Sequence, residues 1–333
     1  ATDNTSGAAV PDLADYTNIG VTGLNAAGAA LLSDVIDNKA QADVNTVAEV
    51  QALASAAQAT VAYTGANGQT APTEAQLNAI AGGSAVTADN LAAIQAAVAA
   101  ANNDGTPVTQ AELQAIISGI NTAASAIGAF AGAETGGLAA AVAANHTAPD
   151  FAAYAAAGIT GLGTVASPNT DLIDAVNDAL ASGPVGSTQA DTPKEIQDIV
   201  NAYTDILAAA DGNATDNTSG AAVPDLADYT NIGVTGLTTA GAGLLSDVID
   251  NKAQADVNTV AEVQALATAA QTTVAYTGAN GQTAPTEAQL NAIAGGSAVT
   301  ADNLAAIQAA VAAANSNNTG AGANTPVTQA ELQ

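Results

Sequence analysis

The sequence predicts an all-α protein: an elongated tandem array of small, Ala-rich three-helix units. Three observations carry that expectation. The pattern Thr-x-x-Glu-apolar-Gln begins at Thr46, Thr109, Thr192, Thr259 and Thr328. Thr followed three residues later by Glu is the capping-box signature of a helix start, in which the hydroxyl accepts the N3 amide proton and the carboxylate accepts the N-cap amide proton. Apolar residues around these points recur at helical spacing. Finally, Ala1–Leu24 returns unchanged as Ala214–Leu237, a period of 213 residues. The match runs on through Asn102 and Asn315 with five substitutions: Asn25 to Thr238, Ala26 to Thr239, Ala30 to Gly243, Ser55 to Thr268 and Ala59 to Thr272. Self-similarity at a fixed period is the signature of repeat architectures.

Each unit reads as three helices. The first is short, Asp12 to Ile19, with Gly20 as the natural C′ residue because Gly takes the left-handed conformation without a Cβ penalty. The second places Leu24, Leu31, Leu32, Val35 and Ile36 on one face. The third opens at the Thr46 capping box and aligns Val47, Val50, Leu53, Ala57 and Val61. An older repeat lies inside the period. Pro11 to Leu24 has a counterpart in Pro149 to Leu162, and a degenerate version begins at Pro72. In those units Leu91, Ile94 and Val98 pair with Leu113, Ile116, Ile117, Ile120 and Ile127, and Leu172, Ile173, Val176 and Leu180 pair with Ile196, Ile199, Val200, Tyr203 and Ile206. Pro193 falls at N1, where its missing amide proton costs nothing.

The units divide the chain at residues 1–71 (A), 72–148 (B, with an extra helix over Leu138 to Asn145), 149–213 (C), 214–284 (a copy of A) and 285–333 (a copy of B). The last copy stops at Gln333, on the first turn of its third helix, so the array is expected to be cut from a longer one. The linkers Thr64–Pro72, Gly132–Gly137 and Asp211–Pro224 are rich in Gly, Asn, Thr and Pro, the composition of turns.

Three Lys, no Arg and 31 acidic residues among 333 give a formal charge of −28. That balance excludes nucleic acid and anionic membrane surfaces as partners. Apolar content is 48%, but much of it is Ala, with two Phe, six Tyr and no Trp or Met. Close helix approach through small residues is therefore expected in place of one large core. There is no Cys, which excludes disulfides and thiolate metal sites. No apolar run long enough to span a bilayer is free of Gly or polar breaks, so no membrane insertion is expected in this region.

No catalytic, cofactor-binding or metal-binding residue is assigned. His146 is the single histidine and has no second His or Cys nearby, so a helix-end or loop role is expected and a catalytic triad is not. Calcium is the one cofactor the acids invite, through Asp34 with Asp37, through Asp171, Asp174 and Asp178, and through the Asp211–Asp216 linker. Calcium takes six to eight oxygens, usually from a dedicated loop, and no segment matches such a loop. These acids therefore read as polar helix faces. Asn4, Asn145, Asn213, Asn217 and Asn317 match the glycosylation acceptor pattern, as chance allows in an Asn- and Thr-rich chain.

The combination Ala-x-Tyr-x-x-x-Gly-apolar-Thr-Gly-Leu, the segment NLAAIQAAVAAA and TxAEVQAL, in near-identical tandem copies, resembles the helical repeats of giant bacterial surface adhesins and biofilm-matrix or extracellular filament proteins. The resemblance implies an extracellular, cell-surface location and a non-enzymatic stalk, filament or matrix fibre for attachment or biofilm. Its implied partners are other copies of itself, neighbouring repeats and cell-surface or matrix components. The alternative is an array of three-helix binding modules for a host protein or glycan, which requires an exposed apolar or aromatic patch. Phe130 and Phe151 are expected in cores.

Overall fold

The computed structural model describes residues 10–212, 223–316 and 327–333. The described residues are mainly helical. The first copy of units A and B holds α1 (Leu13–Asn18), α2 (Ala26–Asp37), α3 (Val47–Ala62), α4 (Glu74–Ala81), α5 (Leu91–Asn102) and α6 (Gln110–Ala133), followed by α7 (Leu138–Ala143). Unit C holds α8 (Phe151–Ala156), α9 (Thr170–Leu180) and α10 (Pro193–Ala209). The second copy holds α11 (Leu226–Asn231), α12 (Thr239–Asp250), α13 (Val260–Ala275), α14 (Glu287–Ala294), α15 (Leu304–Ser316) and α16 (Gln329–Leu332). One departure from an all-α chain is a two-residue antiparallel ribbon, β1 (Gly163–Thr164) on β2 (Ser167–Pro168). Short 3-10 turns at Gln41–Asp43, Ser187–Gln189 and Gln254–Asp256 precede α3, α10 and α13.

The chain forms two compact units. The first comprises Ala1–Ala126, Ala153–Ile159 and Thr192–Lys194; the second comprises Ile127–Ala152, Thr160–Asp191 and Glu195–Gln333. In the first, α2 packs on α3 and α3 on α4. A single apolar core runs from Tyr16 to Ile120, across the sequence boundary at residue 71. In the second, α12 packs on α13, α13 on α14, and α9 on both α7 and α13.

Local chemistry sets the helix ends. Thr46 Oγ1 accepts the Glu49 amide proton at 3.3 Å while the Thr46 amide donates to Glu49 Oε2 at 2.9 Å. The same reciprocal pair closes at Thr109, Thr259 and Thr328. A further box at Thr73 uses Gln76 where the others use Glu, which is why the Glu-based pattern misses it. Gly20 adopts φ +92°, and the Val21 and Gly20 amides donate to Tyr16 O and Thr17 O. This is the Schellman closure of a helix C-terminus. It recurs at Gly158 and Gly233.

The recurring Gln joins the two recurring motifs. Gln51 on α3 accepts the Thr22 amide proton at 2.9 Å and donates to the Thr22 carbonyl at 3.1 Å, clamping both polar groups of the turn that follows α1. Gln197 holds Thr160, and Gln264 holds Thr235, in the same way. In the B units, Gln110 and Gln114 donate to the carbonyls of Ile80 and Ala81 at the end of α4. Those are carbonyls that a helix end leaves without an intrahelical partner.

Two apolar assignments change. Leu24 lies ahead of α2, whose N-cap is Asn25. Val47, aligned by periodicity with the buried stripe of α3, is 47% exposed; it sits at the first helical position of α3. Helix α6 is long and apolar enough, by length and composition, to cross a membrane. Its stripe of Leu113, Ile117, Ile120, Ala124, Ile127 and Ala131 is buried within protein, which is equally what a core helix shows.

Candidate functional site

The residues that chemistry would single out are dispersed. His146, beyond the left-handed Asn145 that follows α7, pairs through Nδ1 with the buried carboxylate of Glu134. Asp34 is held above the ordinary carboxylate range, first by partial burial and then by the charge of Asp37. Asp171 and Asp174 are exposed, whereas Asp178 faces inward. Among the described residues no group of three or more His, Asp or Glu could hold a metal ion. Asn145 is exposed; the Asn4, Asn213, Asn217 and Asn317 acceptor patterns lie outside the described residues, as does Asp216 of the acidic linker. Glu49, Glu112, Glu262 and Glu331 of the Thr-x-x-Glu motif are occupied as caps.

A built surface does exist inside the second compact unit, where unit C meets the copy of unit A. Ile232, Val257 and Val260 are buried there, at 0%, 0% and 6% exposure. Gly233 comes so close to unit C that a Cβ on it would stand 3.2 Å from atoms of Ser182, Pro184 and Val185. Polar groups fix the register. Asp178 Oδ2 accepts the amide proton of Val260 at 2.8 Å, and Oδ1 accepts that of Leu138 at 2.9 Å. Gln254 donates to the Leu207 carbonyl at 2.8 Å, and Asp211 forms an antiparallel bridge with Ala253.

The charges that act on Tyr203, Asp205 and Asp228 at this surface are carboxylates. Tyr203 Oη is buried and has no hydrogen-bond partner among the described residues. Burial, then the charges of Asp178 and Glu262, push its pKa well above the ordinary value. Asp205 and Asp228 are also raised, in each case chiefly by burial; the remaining push comes from Asp228 and Asp225 on Asp205, and from Asp225 on Asp228.

The equivalent surface of the first copy carries the same residues uncovered. Ile19 is 50% exposed and Val47 47%, and Val44 is only half-buried. Among the described residues nothing lies within 4 Å of a Cβ built on Gly20. Sequence periodicity could not find this surface, because both copies present the same pattern; the signal lies in how the copies differ in burial. No family model, curated protein or solved structure matches the chain.

Proposed function

We propose that the chain is a non-enzymatic structural repeat protein, an extended stalk, filament or matrix fibre of the cell exterior. The observation that carries this reading is the near-identity of the copies, which yield the same helices 213 residues apart, α1 to α5 answering to α11 to α15. Repeats that stack on their neighbours gain stability from each shared interface and build length from one design. The recurring polar residues support it as well, since the capping Glu and clamping Gln are consumed within the repeats. Its partners on this reading are further repeats of the same kind.

The binding-module alternative needs an exposed apolar or aromatic patch, and the apolar candidate, around Ile19 and Val47, is the surface whose counterpart in the second copy is covered by unit C. Tyr16, Tyr154, Tyr203 and Tyr229 are buried, and Tyr63, Tyr276, Phe130 and Phe151 are half-buried, so no aromatic patch favours it. Electron micrographs of material made from several consecutive periods test the structural reading. A regular axial rise set by the 213-residue period is expected; compact, monodisperse particles would sink the proposal.

A further inference from the structure

We infer that the uncovered surface of the first copy, around Ile19, Val44 and Val47, is a docking surface for a further copy of unit C. The inference rests on the repeat reading above and deepens it by naming the surfaces that meet. The second copy shows this surface covered. There, the same residues in the same helices, Ile232, Val257 and Val260, are buried against unit C.

Every group needed to receive unit C is present in the first copy. Gly20 holds φ +92° with open space before it, as Gly233 holds φ +95° against Pro184 and Val185. The Val47 amide, counterpart of the amide that Asp178 accepts from Val260, has no acceptor among the described residues. Gln41 corresponds to Gln254, and Ala40 to Ala253. None of the five substitutions between the copies falls at these positions. A surface apolar in the middle and rimmed by backbone groups of fixed spacing suits a partner that repeats the geometry of Asp178, Val185 and Leu207.

The test lengthens the chain by one period, placing residues 1–213 ahead of Ala1 as they already stand ahead of Ala214. Hydrogen exchange is then read at Val47, with Val260 in the same molecule as the folded control. Exchange at Val47 should slow by on the order of tenfold or more, toward the rate at Val260. Asp178→Ala in the added period should return it to the fast rate.

A second measurement needs no lengthening. Ile232→Asp frees unit C from its internal partner, so excess unlabelled Ile232→Asp chain should protect Val47 of labelled native chain as its concentration rises. Protection in either experiment supports the inference, and exchange at Val47 unchanged in both overturns it. The readout is local, so it can succeed where fibres fail to form, and fibres with Val47 unprotected would refute the surface while sparing the structural role.

Discussion

Residues 13–62 and 226–275 differ at five positions and form the same three helices, yet they bury different faces. Ile19 is half exposed where Ile232 is fully buried, and Val47 is exposed where Val260 is covered. Local sequence decides where a helix starts and stops and which stripe meets its own partner helix. It does not decide whether a second apolar stripe is covered, because that depends on what else lies against it. The paired copies are thus an internal control: any difference between matched substitutions measures the environment alone.

The largest expected difference is at the isoleucines. Ile232→Ala should cost about 2–5 kcal/mol, the usual range for emptying a buried site. Ile19→Ala should stay within about 0.5 kcal/mol, as exposed substitutions do. Urea unfolding of the full chain checks both, and equal losses would break the comparison. Next comes Asp178→Ala, which strips the acceptor from the Val260 amide. Leaving a buried donor unpaired costs about 1–3 kcal/mol, and hydrogen exchange should quicken at Val260 while Val47 stays as it was.

Gly20→Ala and Gly233→Ala share the cost of a left-handed non-glycine residue, about 1–2 kcal/mol. Only Gly233→Ala also presses on Pro184, Ser182 and Val185, so it should lower the melting temperature further. Glu49→Ala and Glu262→Ala should each lose about 1 kcal/mol or less, and by equal amounts in thermal melts, because a cap is satisfied within its own helix.

The smallest effect sharpens the electrostatic side. Asp205 and Asp228 have folded pKa values raised above the ordinary 3.8. A raised carboxyl binds protons better in the folded state, so its contribution is present below about pH 3.8 and is lost as pH rises through the raised value. Asp205→Asn should therefore raise the melting temperature slightly at pH 7. That gain should shrink as the pH falls through the carboxylate range, and a gain independent of pH would mean the substitution acts through packing.

Much of the architecture was legible because its causes are local. Thr46, Thr109 and Thr259 announce helices through a reciprocal pair of hydrogen bonds that needs only a four-residue window. Gly20 announces a stop through its own φ. The helix over Leu138–Ala143 and the start of α10 at Pro193 follow from the same kind of evidence. What stayed hidden is non-local. Asp178 is one of three acids spaced along α9, and nothing in that spacing shows that it alone turns inward to hold Val260. The Gln of the recurring motif was visible as a recurrence, but its partner at Thr22 lies 29 residues away. The β1–β2 ribbon rests on two residue pairs and leaves no periodic trace.

The clamps made by Gln51, Gln197 and Gln264 have a consequence for the conditions the fold tolerates. They tie turns to helices through carboxamides, which neither titrate nor carry a net charge. A chain of charge −28 with three Lys and no Arg has few cations with which to build ion pairs. Dissolved electrolyte therefore has little attraction to weaken and much like-charge repulsion to screen. Brine should firm this fold, and dilution should loosen it, the reverse of what a protein stapled by surface ion pairs would do.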